Sequence, residues 1–115
     1  MSEQPVDVVW FFSGDLMFAS RVQGAAQQAG LAFAILGNWP EDDRPSPAWV
    51  IVDLATRGKA ASEIQRRAAL VGGVRTIAYG PHVMPDKLAE ARRQGFDTVM
   101  TRGQFDAALP TLFRP

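Results

Sequence analysis

The chain has 115 residues, of which 47% are hydrophobic and 21% charged, and its twelve basic residues balance twelve acidic ones. This suits one domain with one core, and zero formal net charge removes the basic footprint that nucleic-acid binding needs. With no cysteine, disulfides, thiolate nucleophiles and Cys-held metals are excluded.

The opening Met1-Ser2-Glu3-Gln4-Pro5 has no basic n-region. The apolar stretch after it is too short and too aromatic for a signal peptide, and far too short to span a bilayer. A cytoplasmic protein is expected, a single domain over 1–115 with a frayed start at 1–5. Val6 to Phe12 is a β-rich run and reads as the first strand. Ser13-Gly14-Asp15 turns the chain, and Asp15 suits a helix N-cap. The helix runs from about Leu16 to Ala29, with Phe18, Val22, Ala25 and Ala29 on one face and Gly30 as its stop.

Leu31 to Leu36 is a second apolar strand. The segment 37–47 has neither helical nor strand period, and Pro40, Pro45 and Pro47 forbid a long helix, leaving at most one turn over Glu41 to Arg44. Trp39 within it is expected to pack back over the core as a lid, with exposure to a partner as the alternative. Within Ala48 to Leu54 lies an unbroken apolar run ending in the carboxylate of Asp53, the pattern of a strand covered on both faces. Ligands gather at the carboxyl ends of parallel strands, so Asp53 marks the candidate functional edge.

A loop is expected over Leu54 to Lys59, then a helix over Ala60 to Val71 with Ile64, Ala68 and Val71 inward, ended by Gly72-Gly73. Arg66-Arg67 and Arg92-Arg93 read as solvated helix faces. Val74 to Tyr79 is the fourth strand. Asp86 can cap a helix to about Gln94, stopped by Gly95, and Pro85 bars a much earlier start. Phe96 to Thr101 is the fifth strand. Gln104 to Phe113 is the last helix, with Phe105, Leu109 and Leu112 on one face and Pro110 expected to kink or shorten it. Apolar strands alternating with amphipathic helices imply an α/β three-layer sandwich, a five-stranded parallel sheet of flavodoxin-like order 2-1-3-4-5. Its second helix would be shortened or replaced by the proline-rich loop.

Familiar chemistry is sparse. The turn after the first strand lacks the glycine fingerprint of dinucleotide binding, and the Walker pattern is absent. Ser13 and Gly14 are only a fragment of a flavin-phosphate loop. His82 is the one histidine and has no close carboxylate, a weak basis for metal binding. Ser13, Asp53 and His82 follow three different strands and could share an edge, but no nucleophile elbow is present.

Pro47-Ala48-Trp49-Val50-Ile51-Val52-Asp53-Leu54 resembles the third strand of response-regulator receiver domains, which ends in the aspartate that accepts phosphate. Ala91-Arg92-Arg93-Gln94-Gly95-Phe96-Asp97 is similar to that family's helix-glycine-strand passage, and Thr101-Arg102-Gly103-Gln104-Phe105 sits where it carries lysine, proline and Phe. The resemblance covers nearly the whole chain. It implies an acidic pair holding Mg²⁺ after the first strand, where this chain has Ser13 and Gly14, with Asp15 one place beyond. The family's threonine or serine after the fourth strand falls at Tyr79 or Gly80, and its lysine becomes Arg102. An arginine fork does not replace a point ammonium, and phosphoryl transfer needs a metal among hard oxygen ligands. Asp53 is therefore expected to pair with Arg102 or with backbone N–H groups and to stay ionised.

These departures make the chain similar to a degenerate pseudo-receiver: a non-enzymatic regulatory module of two-component signal transduction, with no catalytic residue, metal or cofactor. The resemblance implies a protein partner or homodimer through the face of the fourth helix, fifth strand and fifth helix, here Lys87, Glu90, Arg93, Phe105 and Phe113. No nucleic acid or membrane is expected to bind the domain on its own. Two alternatives stay open. One is a working phospho-acceptor using Asp53, with Asp15 as an altered metal ligand. The other is a small-molecule-binding or hydrolytic domain using Ser13, Asp53, Tyr79 and His82.

Overall fold

Five short strands form one parallel sheet in the order β2-β1-β3-β4-β5 in the computed structural model, which describes residues 7–114. The strands are β1 Val8–Phe12, β2 Ala32–Leu36, β3 Trp49–Asp53, β4 Arg75–Gly80 and β5 Thr98–Thr101. The helices are α1 Leu16–Gln28, the single turn α2 Leu54–Arg57, α3 Ala61–Val71, α4 Pro85–Gln94 and α5 Arg102–Leu112. The flavodoxin-like architecture and strand order expected from the alternating pattern are both present. The expected fraying at 1–5 lies outside the described residues.

Period-two alternation divides the central strands between two cores. Val9, Phe11, Ile51, Ile77 and Tyr79 face α1 and α5, packing on Phe18, Val22, Phe105 and Leu109. Trp10, Phe12, Val50, Val52 and Ala78 face the other way, onto Ile64 and Ala68 of α3 and Leu88 and Ala91 of α4. Every residue of β3 after Trp49 is buried, which explains its continuous apolar run.

The segment 37–48 contains no helix. Trp39 covers part of the second core in its place, lying edge-on to Trp10 at 4.9 Å and stacked on Phe12 at 6.2 Å. Glu41 to Arg44 makes no helical turn.

Several boundaries differ from the sequence expectation. Leu54 to Lys59 is not a loop: α2 and a 3₁₀ turn, Gly58–Ala60, run into α3 because Asp53 caps the first of them. Helix α4 begins at Pro85 with Met84 at its cap, and Asp86 lies in the first turn rather than at the cap. Helix α5 begins at Arg102, since Thr101 and Gln104 form a reciprocal capping box, and it continues past Pro110 to Leu112. Val71, expected inward, is 43% exposed as the last residue of α3 before Gly72.

Candidate functional site

Strand β3 delivers Asp53 to the carboxyl edge of the sheet, opposite Tyr79 in register, and leaves it 4% exposed. A buried carboxylate must be hydrogen-bonded. Asp53 Oδ2 accepts from Ser13 Oγ at 2.8 Å and from Thr56 Oγ1 at 2.9 Å, while Oδ1 accepts from the Ala55 N–H at 3.0 Å. The two hydroxyls extend the network. The Asp15 N–H donates to Ser13 Oγ, and the Gly14 N–H donates to Thr56 Oγ1, each at 2.9 Å. One carboxylate thus fastens the β1–α1 turn to the β3–α2 turn.

Arg102 does not pair with Asp53. It reaches Asp15 Oδ2 at 3.1 Å and lies 4.5 Å from the centre of the Phe18 ring. Asp15 Oδ1 accepts from the Phe18 N–H at 3.0 Å, so the expected α1 cap forms and both Asp15 oxygens are engaged. Of the two partner types expected for Asp53, one backbone N–H is present, but hydroxyls take the place foreseen for arginine.

Tyr79 is buried and stacked on Phe105 at 4.4 Å, and among the described residues its hydroxyl has no hydrogen-bond partner within range. Burial, reinforced by the negative charge of Asp53, holds the phenol protonated well above its ordinary range. Gly80 ends β4 opposite Thr101, where an added Cβ would lie 3.3 Å from Leu54 Cβ. A hydroxyl-bearing side chain at 80 would therefore crowd the start of α2. His82 is exposed and lines an open hollow of about 450 Å³ with Phe18, Arg21, Arg102 and Asp106. Ser13, Asp53 and Tyr79 lie together at the strand edge but do not line that hollow.

The oxygen donors at this edge do not suit Mg²⁺. Gly14 brings no side chain, Ser13 already donates to Asp53, and Asp15 is occupied by Arg102 and the α1 cap. Among the described residues no group of three His, Asp or Glu side chains could hold a metal.

The expected partner face is redistributed. Phe105 and Phe113 are buried, at 0% and 7% exposure, because α5 turns both rings into the first core. Lys87 and Glu90 line a groove of about 330 Å³ facing α3 rather than β5, together with Lys59 and Ser62. Arg93 is exposed.

Two side chains escaped the sequence reading. Thr56 was hidden in an expected loop, although Asp53-x-x-Thr56 is the spacing at which a capping carboxylate meets a first-turn hydroxyl. Arg57 follows it and lays its guanidinium beside Gly14 and Gly37.

No protein-family model matches the chain, and no curated protein matches it in sequence. Solved structures do match in three dimensions. A response regulator from Burkholderia pseudomallei, described with a phosphorylated aspartic acid and a calcium ion, superposes with a TM-score of 0.69 at 15% identity, over 93% of this chain and 68% of that one. The phosphorylated cyanobacterial phytochrome response regulator RcpA gives 0.75 at 8% identity, over 94% and 91%. DrrB of Thermotoga maritima, an OmpR/PhoB homologue, gives 0.72 at 14% identity, over 92% of this chain and 50% of that one. The chain has the fold of response-regulator receiver domains.

Proposed function

We propose that this domain is a signalling module of receiver fold that does not take up phosphate and works through protein contact. The observation that carries this reading is the state of the Asp53 carboxylate. Its oxygens accept three hydrogen bonds from Ser13, Thr56 and Ala55, and the neighbouring Asp15 carboxylate is engaged by Phe18 and Arg102. A phosphoryl group carries several negative oxygens whose charge must be neutralised during transfer. Here the hydroxyl donors are committed to the unmodified side chain, and Arg102 is committed to Asp15. Asp53 acts as a clamp between two turns.

The partner surface in this reading is α4, where Lys87 and Glu90 border the groove against α3 and Arg93 extends the charged surface. Phe105 and Phe113 belong to the core and drop out. No helix among the described residues is long and apolar enough to cross a membrane.

Incubation with acetyl phosphate and Mg²⁺, followed by intact-mass measurement, tests the reading. The expected mass is that of the unmodified chain. A stoichiometric phosphate adduct, abolished by Asp53→Asn, would establish the phospho-acceptor alternative instead.

A further inference from the structure

The guanidinium of Arg57 occupies an unusual position. Its Nη1 and Nη2 lie 3.6 Å from where a Cβ at Gly14 would stand, and Nη2 lies 3.7 Å from the corresponding point at Gly37. The group therefore bridges the turn after β1 and the exit of β2. Among the described residues its one hydrogen bond is from Nη1 to the neighbouring Thr56 carbonyl at 3.1 Å, and its buried Nε has no partner. Among the described residues no carboxylate forms a salt bridge with it. A permanent positive charge thus stands beside Gly14, on the residue next to Thr56, whose hydroxyl donates to Asp53.

We infer that Arg57 is a resident cation of the Asp53 edge and excludes divalent metal from it. This deepens the proposed function and rests on it. Two physical effects act together. A fixed like charge within a few ångströms raises the electrostatic cost of bringing in a divalent ion. The guanidinium also fills the space into which a metal-binding side chain at position 14 would project. An acid placed there would stand against both Nη atoms, and its charge would be drawn to Arg57. Restoring one acid is therefore not sufficient to restore a metal site, and Arg57 must be removed as well.

The experiment compares the wild-type chain, Gly14→Asp, Arg57→Gln and the combined variant, with Mn²⁺ as the probe and bound ion counted by electron paramagnetic resonance. Position 14 tolerates the substitution, since its φ is not positive and an added Cβ makes only ordinary contacts. The expected result is Mn²⁺ affinity in the combined variant at least about tenfold above that of Gly14→Asp, which itself gains little over wild type. Equal affinity of Gly14→Asp and the combined variant, or no binding by either, would overturn the inference, as would Mn²⁺ binding by the wild-type chain.

Thermal unfolding of the same four proteins supplies a reading independent of metal. The introduced carboxylate and Arg57 should be coupled, so that Gly14→Asp raises the melting temperature only when Arg57 is present. Strict additivity would refute the placement of the guanidinium. Failure of the proposed function is separately visible, as a phosphate adduct on the wild-type chain, whereas the Arg57 inference is decided by the Mn²⁺ and melting comparisons alone.

Discussion

Substituting Asp53→Asn asks whether this carboxylate stabilises the fold or strains it. In a cluster of acids, neutralising one member relieves repulsion and stabilises the protein. Here no such cluster surrounds Asp53, and three donors point at its two oxygens. An asparagine retains only one oxygen. If that oxygen takes the Oδ2 position to serve Ser13 and Thr56, the amide NH₂ confronts the Ala55 N–H. In the flipped orientation it confronts the two hydroxyls. Hydroxyls can rotate to accept, but at least one buried donor loses a charged acceptor. The loss is about 1.5–3 kcal/mol for a hydrogen bond to a charged group. For a chain of 115 residues this corresponds to a drop in melting temperature of about 5–12 °C. Urea unfolding followed by tryptophan fluorescence gives the free energy directly. An unchanged or increased stability of Asp53→Asn would refute the account of Asp53 as a clamp.

Three other outcomes follow from the same structure. Tyr79→Phe should change stability by less than about 1 kcal/mol at neutral pH, because the hydroxyl it removes has no partner. The raised pKa of Tyr79 means that the folded state keeps a proton the unfolded chain releases above its ordinary value of 10.0. Stability is thus fully present below about pH 10 and falls as pH rises beyond it, a slope that Tyr79→Phe should reduce in alkaline melting curves. Thr76 and Asp97 exchange two hydrogen bonds of 2.9 Å between β4 and the entry to β5. Thr76→Val and Asp97→Ala each delete one of the two acceptors, and each should cost about 1–3 kcal/mol by urea unfolding. Trp39→Ala should cost about 2–4 kcal/mol, below the full penalty of a wholly buried tryptophan, since Trp39 is only half-buried over Trp10 and Phe12.

The sheet was legible because β3 and its neighbours obey a local rule: apolar runs closed by glycine, proline or an acid, each followed by a helical period. Asp53 was legible for the same reason, as the carboxylate that ends such a run. Its surroundings were not. The bond from Ser13 spans forty positions of sequence, and nothing local announces which hydroxyl a distant acid will meet. The α5 start was written in Thr101-x-x-Gln104, a capping box masked by the glycine between them. Phe105 and Phe113 were placed on the surface by likeness to a docking face. Helical spacing alone puts them eight residues apart on one stripe with Leu109, and that stripe is the buried one. For Lys87 and Glu90 the ambiguity was rotational. A polar helix face has two flanks, and which one meets a neighbour depends on how the helix rolls when Leu88 and Ala91 dock.

The bare stretch between β2 and β3 has a consequence of its own. Where a crossover helix would bring several turns of internally bonded backbone, this flank is closed by a single indole. The edge strand beneath it, β2, has little above it on that face to resist opening, so amide exchange should advance inward from there. The same thinness gives the molecule room to vary. Residues beyond Trp39 and before Pro47 can lengthen or shorten at small entropic penalty, while the clamp at the far end of β3 stays undisturbed.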